Sequence, residues 1–101
     1  MSTDISGMMM VAASYKTIIE FLDQDEMNAL EEMLDNGDID YASPYYDAPR
    51  EHWMIGLTVE DMVLQHGWHD NIGRVYYTIE SFDIFYNKKI PWELGGYANV
   101  N

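Results

Sequence analysis

Acidic residues at short spacing, in the segment from Asp35 to Asp40, could bind a metal ion. The run Asp-Asn-Gly-Asp-Ile-Asp resembles a calcium-binding loop, in which glycine stands sixth and oxygen ligands fill the first, third and fifth positions. With Gly37 sixth, the third residue is the apolar Leu34, and the twelfth is Ser43 instead of a bidentate glutamate. The spacing argues against a regular calcium loop and leaves an irregular divalent site as an alternative.

Three histidines are the other candidate metal ligands. His66 and His69, with the neighbouring Asp70, could join His52 or Asp61 around zinc, because imidazole and carboxylate both suit that ion. The glycine between the first two histidines is expected to end a helix, so they need not share a face. Surface and capping roles are favoured, and we expect neither a metal nor another cofactor.

The sequence contains no recognisable motif for nucleophilic catalysis. There is no cysteine, no Gly-x-Ser-x-Gly elbow and no serine placed beside a histidine by local sequence. Gly95 and Gly96 are not followed by the lysine and serine or threonine of a phosphate-binding loop. Adjacent acids such as Glu60 and Asp61 could serve acid–base chemistry in any protein, so they indicate nothing specific. We predict that the protein is not an enzyme.

The net charge of the chain limits the kinds of molecule that the protein is expected to bind. The chain has 101 residues, 48% of them apolar, which fits one domain over 1–101 with one core. Eighteen carboxylates against five basic side chains give a net charge of −13. This field repels nucleic acid and anionic lipid and attracts basic protein surfaces. We expect no direct nucleic-acid binding and no membrane association.

The two ends of the chain give expectations about location and order. Residues 1–14 lack the basic start of a secretory signal, and the apolar run 8–13 is too short to cross a membrane. A cytoplasmic protein is therefore expected. The segments 1–13 and 95–101 are predicted to be flexible ends, since the last of them has little to bury beyond one tyrosine.

Helical spacing of apolar residues predicts the elements that carry most of the acids. Apolar positions between Tyr15 and Leu34 indicate a helix over 15–22, a break, and a helix over 24–35, with one longer helix as the alternative. Asp23 followed by Glu26 is typical of a capping box that starts the second helix. A glycine at 37 suits its end.

The rest of the chain gives less decisive patterns. The segment 37–49 is predicted to be a loop, and 52–57 either a short buried strand or a connector. A short capped helix is expected between Thr58 and Gly67. Apolar spacing favours a helix over 70–88, although 75–79 has the composition of a strand. The prediction is a mainly α protein, a compact bundle of about four helices with a possible short strand pair, and α+β is the alternative.

The carboxylates are concentrated in one third of the chain. Residues 20–51 hold eleven of the eighteen, against a single basic residue, Arg50. Solubility needs a net charge of only about 2–8 in a small domain, so this excess favours a binding role over simple solvation. The predicted partner-binding residues are these carboxylates, with two tyrosines that could add desolvated contact: Asp23, Asp25, Glu26, Glu31, Glu32, Asp35, Asp38, Asp40, Asp47, Tyr45 and Tyr46.

The short length, the acidity, the absence of cysteine and the 20–51 cluster are similar to those of small phage-encoded inhibitors, including anti-restriction DNA mimics and anti-CRISPR proteins. The resemblance covers composition and charge, and no sequence motif of one family aligns. It implies a phage protein that acts in the host cytoplasm and blocks the nucleic-acid channel or a regulatory surface of a defence enzyme.

Two functions fit these features. The first is a non-enzymatic inhibitor that binds the basic surface of a nucleic-acid-binding protein or nuclease complex, with carboxylates that mimic phosphate charge. The alternative is a helical adaptor or regulatory subunit that acts through an apolar interface with itself or a partner. The protein is expected to be a monomer or a homodimer.

Overall fold

Strand pairing forms the centre of the molecule. The computed structural model describes residues 5–59 and 68–100. These residues form an α+β domain with a curled, four-stranded antiparallel sheet, so the prediction of a mainly α helical bundle is wrong. The elements are β1 Ile5–Ser14, α1 Tyr15–Ile19, α2 Gln24–Asn36, β2 Asp40–Ala42, a 3₁₀ helix Arg50–His52, β3 Met54–Thr58, α3 Trp68–Ser81 and β4 Glu93–Val100.

The longest strand, β1, explains why the helical prediction failed. Met10, Val11, Ala12 and Ala13 follow one another in β1, and all four side chains are buried. A strand covered on both faces reads as a continuous apolar run without polar alternation, which periodicity alone does not distinguish from other buried segments. Both predicted flexible ends contain strand residues, because 5–13 lie in β1 and 95–100 in β4, and these two strands pair.

The sheet has the order β2-β3-β1-β4, and every neighbouring pair is antiparallel. Ala12 lies opposite Gly56 of β3 on one side and opposite Glu93 of β4 on the other. The sheet curls until its two edge strands meet. At this junction the amide of Val100 donates to the carbonyl oxygen of Ser43 at 2.8 Å.

The two faces of the sheet bury two separate clusters. The helices cover the larger cluster, to which β1 contributes Val11 and Ala13 and the helices contribute residues such as Leu30 and Ile79. The concave face holds a smaller cluster of three buried side chains with three partly buried ones packed against them: Met10, Ala12, Ala42, Met8, Met54 and Tyr97. The curl of the sheet therefore creates a second small core, to which none of the described helices contributes a side chain.

Several local predictions are confirmed. The helix predicted over 24–35 is α2, and Gly37 follows it in the left-handed conformation, with φ of 78°. The ambiguous segment 52–57 contains β3. The helical interpretation of 70–88 holds for α3 up to Ser81, which makes the strand alternative over 75–79 wrong. Residues 60–67 of the predicted short capped helix lie outside the described residues.

Gly56 permits the close approach of β3 to β1. A Cβ atom at this position would lie 1.8 Å from the carbonyl oxygen of Val11 and 2.8 Å from the Cα atom of Ala12. Both contacts are with backbone, which cannot move aside as a flexible side chain could. The central strand pair therefore requires glycine here.

We predict that Gly56→Ala lowers the free energy of unfolding by about 3 kcal/mol or more, because the methyl group forces β1 and β3 apart. Gly73→Ala is the matched control, since Gly73 is exposed on α3 and a methyl group there would meet no tertiary atom within 4 Å. It should stabilise the protein by about 0.5–1 kcal/mol. Urea denaturation followed by circular dichroism measures both, and equal midpoints for the two variants would contradict the close approach.

Candidate protein-binding surface

A row of carboxylates follows the outer face of α2. Asp25, Glu32 and Asp35, called here the α2 stripe, are all exposed. At 3.6 residues per turn they fall within about 80° of one another around the helix axis and extend over about 15 Å of its length. Leu30 and Leu34 lie on the opposite side of the helix and are buried in the core. The amphipathic pattern of α2 therefore fixes the stripe toward solvent.

The start of α2 is set by the predicted capping box. The side chain of Asp23 accepts a hydrogen bond from the backbone amide of Glu26 at 2.8 Å, and the Glu26 carboxylate accepts one from the amide of Asp23 at 3.0 Å. Acids in this first turn are favoured by the positive end of the helix dipole. Asp23 and Glu26 thus stabilise the helix that carries the stripe.

The end of α2 shows the opposite electrostatics. Its last turn carries Asp35 and has no basic residue. A carboxylate near the negative end of a helix dipole is unfavourable, typically by about 0.3–1 kcal/mol, and Glu32 and Asp35 at a spacing of three add mutual repulsion. The stability of the helix therefore does not account for the acids at this end of the α2 stripe.

Three acids of the predicted surface make contacts with distant parts of the chain. Glu26 forms an ion pair with Lys88 at 2.9 Å. Glu31 accepts a hydrogen bond from the hydroxyl of Tyr15 and pairs with Arg50, which ties α2 to the 3₁₀ helix. The carboxylate of Asp40 accepts a hydrogen bond from the amide of Thr58, 18 residues along the chain, at 2.9 Å. These contacts place the three acids in the framework of the fold.

The predicted surface therefore divides into two groups. Asp23, Glu26, Glu31 and Asp40 have hydrogen-bond or ion-pair partners within the fold. The other carboxylates are exposed, and their side chains make no hydrogen bond or ion pair with any residue in 6–59 or 72–100. This second group consists of Asp25, Glu32, Asp35, Asp38 and Asp47.

The loop after β2 presents aromatic side chains. Tyr45 and Tyr46 are 46% and 66% exposed, as expected for a contact surface. With Tyr41, His52 and Trp53 they form what we call the aromatic patch. The ring of Tyr41 stacks on Trp53 with a centroid separation of 4.5 Å, and the hydroxyl of Tyr45 is hydrogen bonded to the Nδ1 atom of His52.

Trp53 and Arg50 hold the aromatic patch in place, and the sequence patterns did not identify this role. The indole N–H of Trp53 donates to the carbonyl oxygen of Ala48 at 3.1 Å, and the guanidinium of Arg50 lies 5.0 Å from the Trp53 ring centroid. Tyr45 and Tyr46 therefore project from a braced loop. In the sequence, one feature could have predicted an ion pair for Arg50: it is the single basic residue among the many acids of 20–51.

The Glu31–Arg50 ion pair joins the two surfaces. Glu31 lies one helical turn before Asp35 and about 40° from it around the axis of α2. Arg50, which pairs with Glu31, also lies against Trp53 of the aromatic patch. The patch therefore flanks the Asp35 end of the α2 stripe, and a single partner could contact both.

The structure offers no metal centre in the part of the chain that it describes. No group of three histidine, aspartate or glutamate side chains is close enough to hold an ion there. His66 and Asp61 of the metal hypothesis lie outside the described residues, and so do the side chains of His69 and Asp70. The acid pair Glu60 and Asp61 also lies outside them.

Comparison with known proteins gives no family assignment: no protein-family model matches the chain, and neither a curated protein nor a solved structure is similar to it. Within the described residues, none of the helices has the length and apolar character needed to cross a bilayer.

The pKa of Glu26 gives a pH prediction. The hydrogen bond from the Asp23 amide, followed by the contact with Lys88, lowers this pKa below its ordinary value of 4.5. A lowered pKa in the folded state stabilises the protein above pH 4.5, and this contribution is lost as the pH falls through the folded-state pKa. Glu26→Gln keeps an acceptor for the Asp23 amide but removes the charge.

We expect Glu26→Gln to melt at a lower temperature than Glu32→Gln at pH 7, and the difference to shrink as the pH falls below 4.5 through the lowered folded-state pKa of Glu26. Glu32→Gln removes the same charge from the same helix without the bonds to Asp23 and Lys88, so it measures the general relief of repulsion. Thermal unfolding between pH 3 and pH 7 checks this. A constant difference across that range would contradict the charge contribution.

Proposed function

We propose that the protein is a non-enzymatic inhibitor that binds the basic surface of a nucleic-acid-binding protein or defence nuclease complex. The observation that carries this proposal is the α2 stripe, a row of exposed carboxylates on a rigid helix. The aromatic patch at one end of the stripe supplies apolar contact area. The inhibitor competes with nucleic acid for the partner's lysine and arginine side chains.

The spacing of the stripe supports mimicry of phosphate charge. Along the helix axis, Asp25 and Glu32 are about 10 Å apart, and Glu32 and Asp35 about 5 Å. Phosphates recur about every 3.4 Å of axis on each strand of duplex DNA, so the Asp25–Glu32 separation is close to three phosphate steps, whereas the Glu32–Asp35 separation falls between one step and two. Long lysine and arginine side chains accommodate the remaining differences, since their charged groups move on flexible stems.

The charge balance of the chain also supports a basic partner. Arg50 is the sole cation among residues 20–51, and it is engaged by Glu31. The charges of the α2 stripe are therefore not neutralised by this pair, and their repulsion opposes folding by a few tenths of a kcal/mol per pair. A cationic partner removes this repulsion when it binds, so the unfavourable arrangement becomes favourable in the complex.

We propose as contacts only those predicted carboxylates that have no partner within the described fold, together with the two exposed tyrosines. Asp23, Glu26, Glu31 and Asp40 are occupied within the fold, so their substitution would change stability as well as binding. The proposed contacts are the exposed residues Asp25, Glu32, Asp35, Asp38, Asp47, Tyr45 and Tyr46. The adaptor alternative, with an apolar interface, stays a prediction from the sequence.

We predict that the combined variant Asp25→Asn, Glu32→Gln, Asp35→Asn binds its partner about tenfold more weakly or worse, with a flatter dependence on salt, because three charge contacts are lost. The matched control is Glu20→Gln, Asp83→Asn, Glu93→Gln, which removes three exposed charges from other parts of the surface. Both variants keep the shape of every substituted side chain.

The measurement begins with capture from a bacterial lysate on immobilised protein, followed by elution with duplex DNA. The captured protein is then purified, and its DNA binding is titrated with wild type and both variants. We expect stoichiometric loss of DNA binding with wild type and control, and weaker inhibition by the stripe variant. Equal inhibition by both variants, or a captured protein that DNA does not displace, would overturn the proposal.

A further inference from the structure

A concave site lies beside the end of α3. It is a pocket of about 400 Å³, within the size range of small-ligand sites. We call it the α3 pocket. Its floor is formed by Phe85, Ile90 and Trp92, and its rim includes Tyr77, Glu80 and Tyr86.

The floor and rim of the α3 pocket differ in exposure. Phe85, Ile90 and Trp92 are at most 8% exposed, and the rings of Phe85 and Trp92 pack edge to face at 5.0 Å. Tyr77 and Tyr86 are 76% and 69% exposed. Two tyrosine rings thus stand in solvent above an apolar floor, an arrangement that suits an inserted side chain with an apolar stem.

The charges around the α3 pocket favour a cation. Glu80 lines the rim and lies in the last turn of α3, whose carbonyl groups form the negative end of the helix dipole. The faces of the tyrosine rings also attract cations. Lys89 opposes this on the rim, but the protein as a whole carries a net charge of −13.

The backbone that shapes the α3 pocket is held in an unfavourable conformation. Asn87 and Lys89, which both line it, have φ angles of 60° and 59°. The left-handed region is costly for a lysine and less so for an asparagine, and such costs are concentrated where a loop shape serves binding. Asp47, beside the aromatic patch, is the other such residue among those described.

The α3 pocket is attached to the start of α2. Lys88 lies between the two left-handed residues and pairs with Glu26 at 2.9 Å. Glu26 is the sequence neighbour of Asp25, the first residue of the α2 stripe. The ion pair therefore fixes the pocket-forming segment next to one end of the stripe, so one partner can reach both.

We propose that the α3 pocket binds an arginine side chain of the basic partner. The aliphatic stem packs on Phe85, Ile90 and Trp92, while the planar guanidinium stacks on the tyrosine rings and donates hydrogen bonds to Glu80. This inference rests on the proposed function for the existence of a basic partner. The pocket itself, however, can be tested without that partner.

The test uses Nα-acetyl-L-argininamide, titrated into ¹⁵N-labelled protein at low ionic strength. We expect saturable chemical-shift changes at the amides of Glu80, Ser81 and Ile90 and at the Trp92 indole. The citrulline analogue has nearly the same shape without the charge, and it should bind about two- to fivefold more weakly or worse. Equal binding of the two probes, or shifts confined to the α2 stripe, would overturn the arginine assignment.

Variants locate the binding within the pocket. Glu80→Gln and Tyr86→Ala should each weaken binding of the probe about two- to fivefold. Lys89→Gln should strengthen its binding, because this change removes a positive charge like that of the probe from the rim. Glu20→Gln, an exposed acid outside the pocket lining and the α2 stripe, is the control and should leave binding unchanged. Glu80, Tyr86 and Lys89 are exposed, so the fold tolerates these changes. Unchanged affinity in both Glu80→Gln and Tyr86→Ala would refute the site.

The outcomes separate this inference from the proposed function. If the stripe variant loses its partner while the probe does not bind, the inhibitor acts through α2 and the α3 pocket assignment is wrong. If the probe binds the pocket but the stripe variant inhibits as wild type does, the arginine site stands and the phosphate-mimicking stripe is wrong.

Discussion

The burial of β1 on both of its faces is the constraint on which the remaining structure depends. Val11 and Ala13 anchor the helices on one side, while Met10 and Ala12 fill the concave side of the curled sheet. Gly56 allows the neighbouring strand to approach closely enough for both faces to close. Because this apolar framework holds the domain together, the helices can carry many unpaired carboxylates on their outer faces.

The acidic residues fall into two roles that composition alone does not separate. One group fixes geometry, since Glu31 links α2 to Arg50 and Glu26 links it to Lys88. The other group has no such contact with the described side chains, and Asp35 within it lies at the end of α2 where the helix dipole makes a carboxylate unfavourable. Because Glu26 and Glu31 hold α2 in place, the exposed carboxylates of the α2 stripe stay at defined positions.

The sequence correctly predicted those features of the fold that depend on residues close together in the chain. The capping box at Asp23 and the glycine at 37 located α2 correctly, because both act within a few residues. β1, β2 and β4 were missed because pairing depends on distant residues, and the buried run in β1 lacks polar alternation. The same limit applies to the site: Glu26 and Lys88 are 62 residues apart, so sequence reasoning assigned that acid to the binding surface. The α3 pocket likewise forms from turns and left-handed residues after α3 that no spacing rule indicates.

The register of β1 with β4 has a consequence for the order of folding. Ile5 lies opposite Val100, so β1 and β4, the first and last of the described strands, pair although they are far apart in the sequence. During synthesis the second edge of β1 stays uncovered until β4 has also left the ribosome. Such long-range closure slows folding, and until then the nascent chain exposes an apolar strand that chaperones or neighbouring chains can bind.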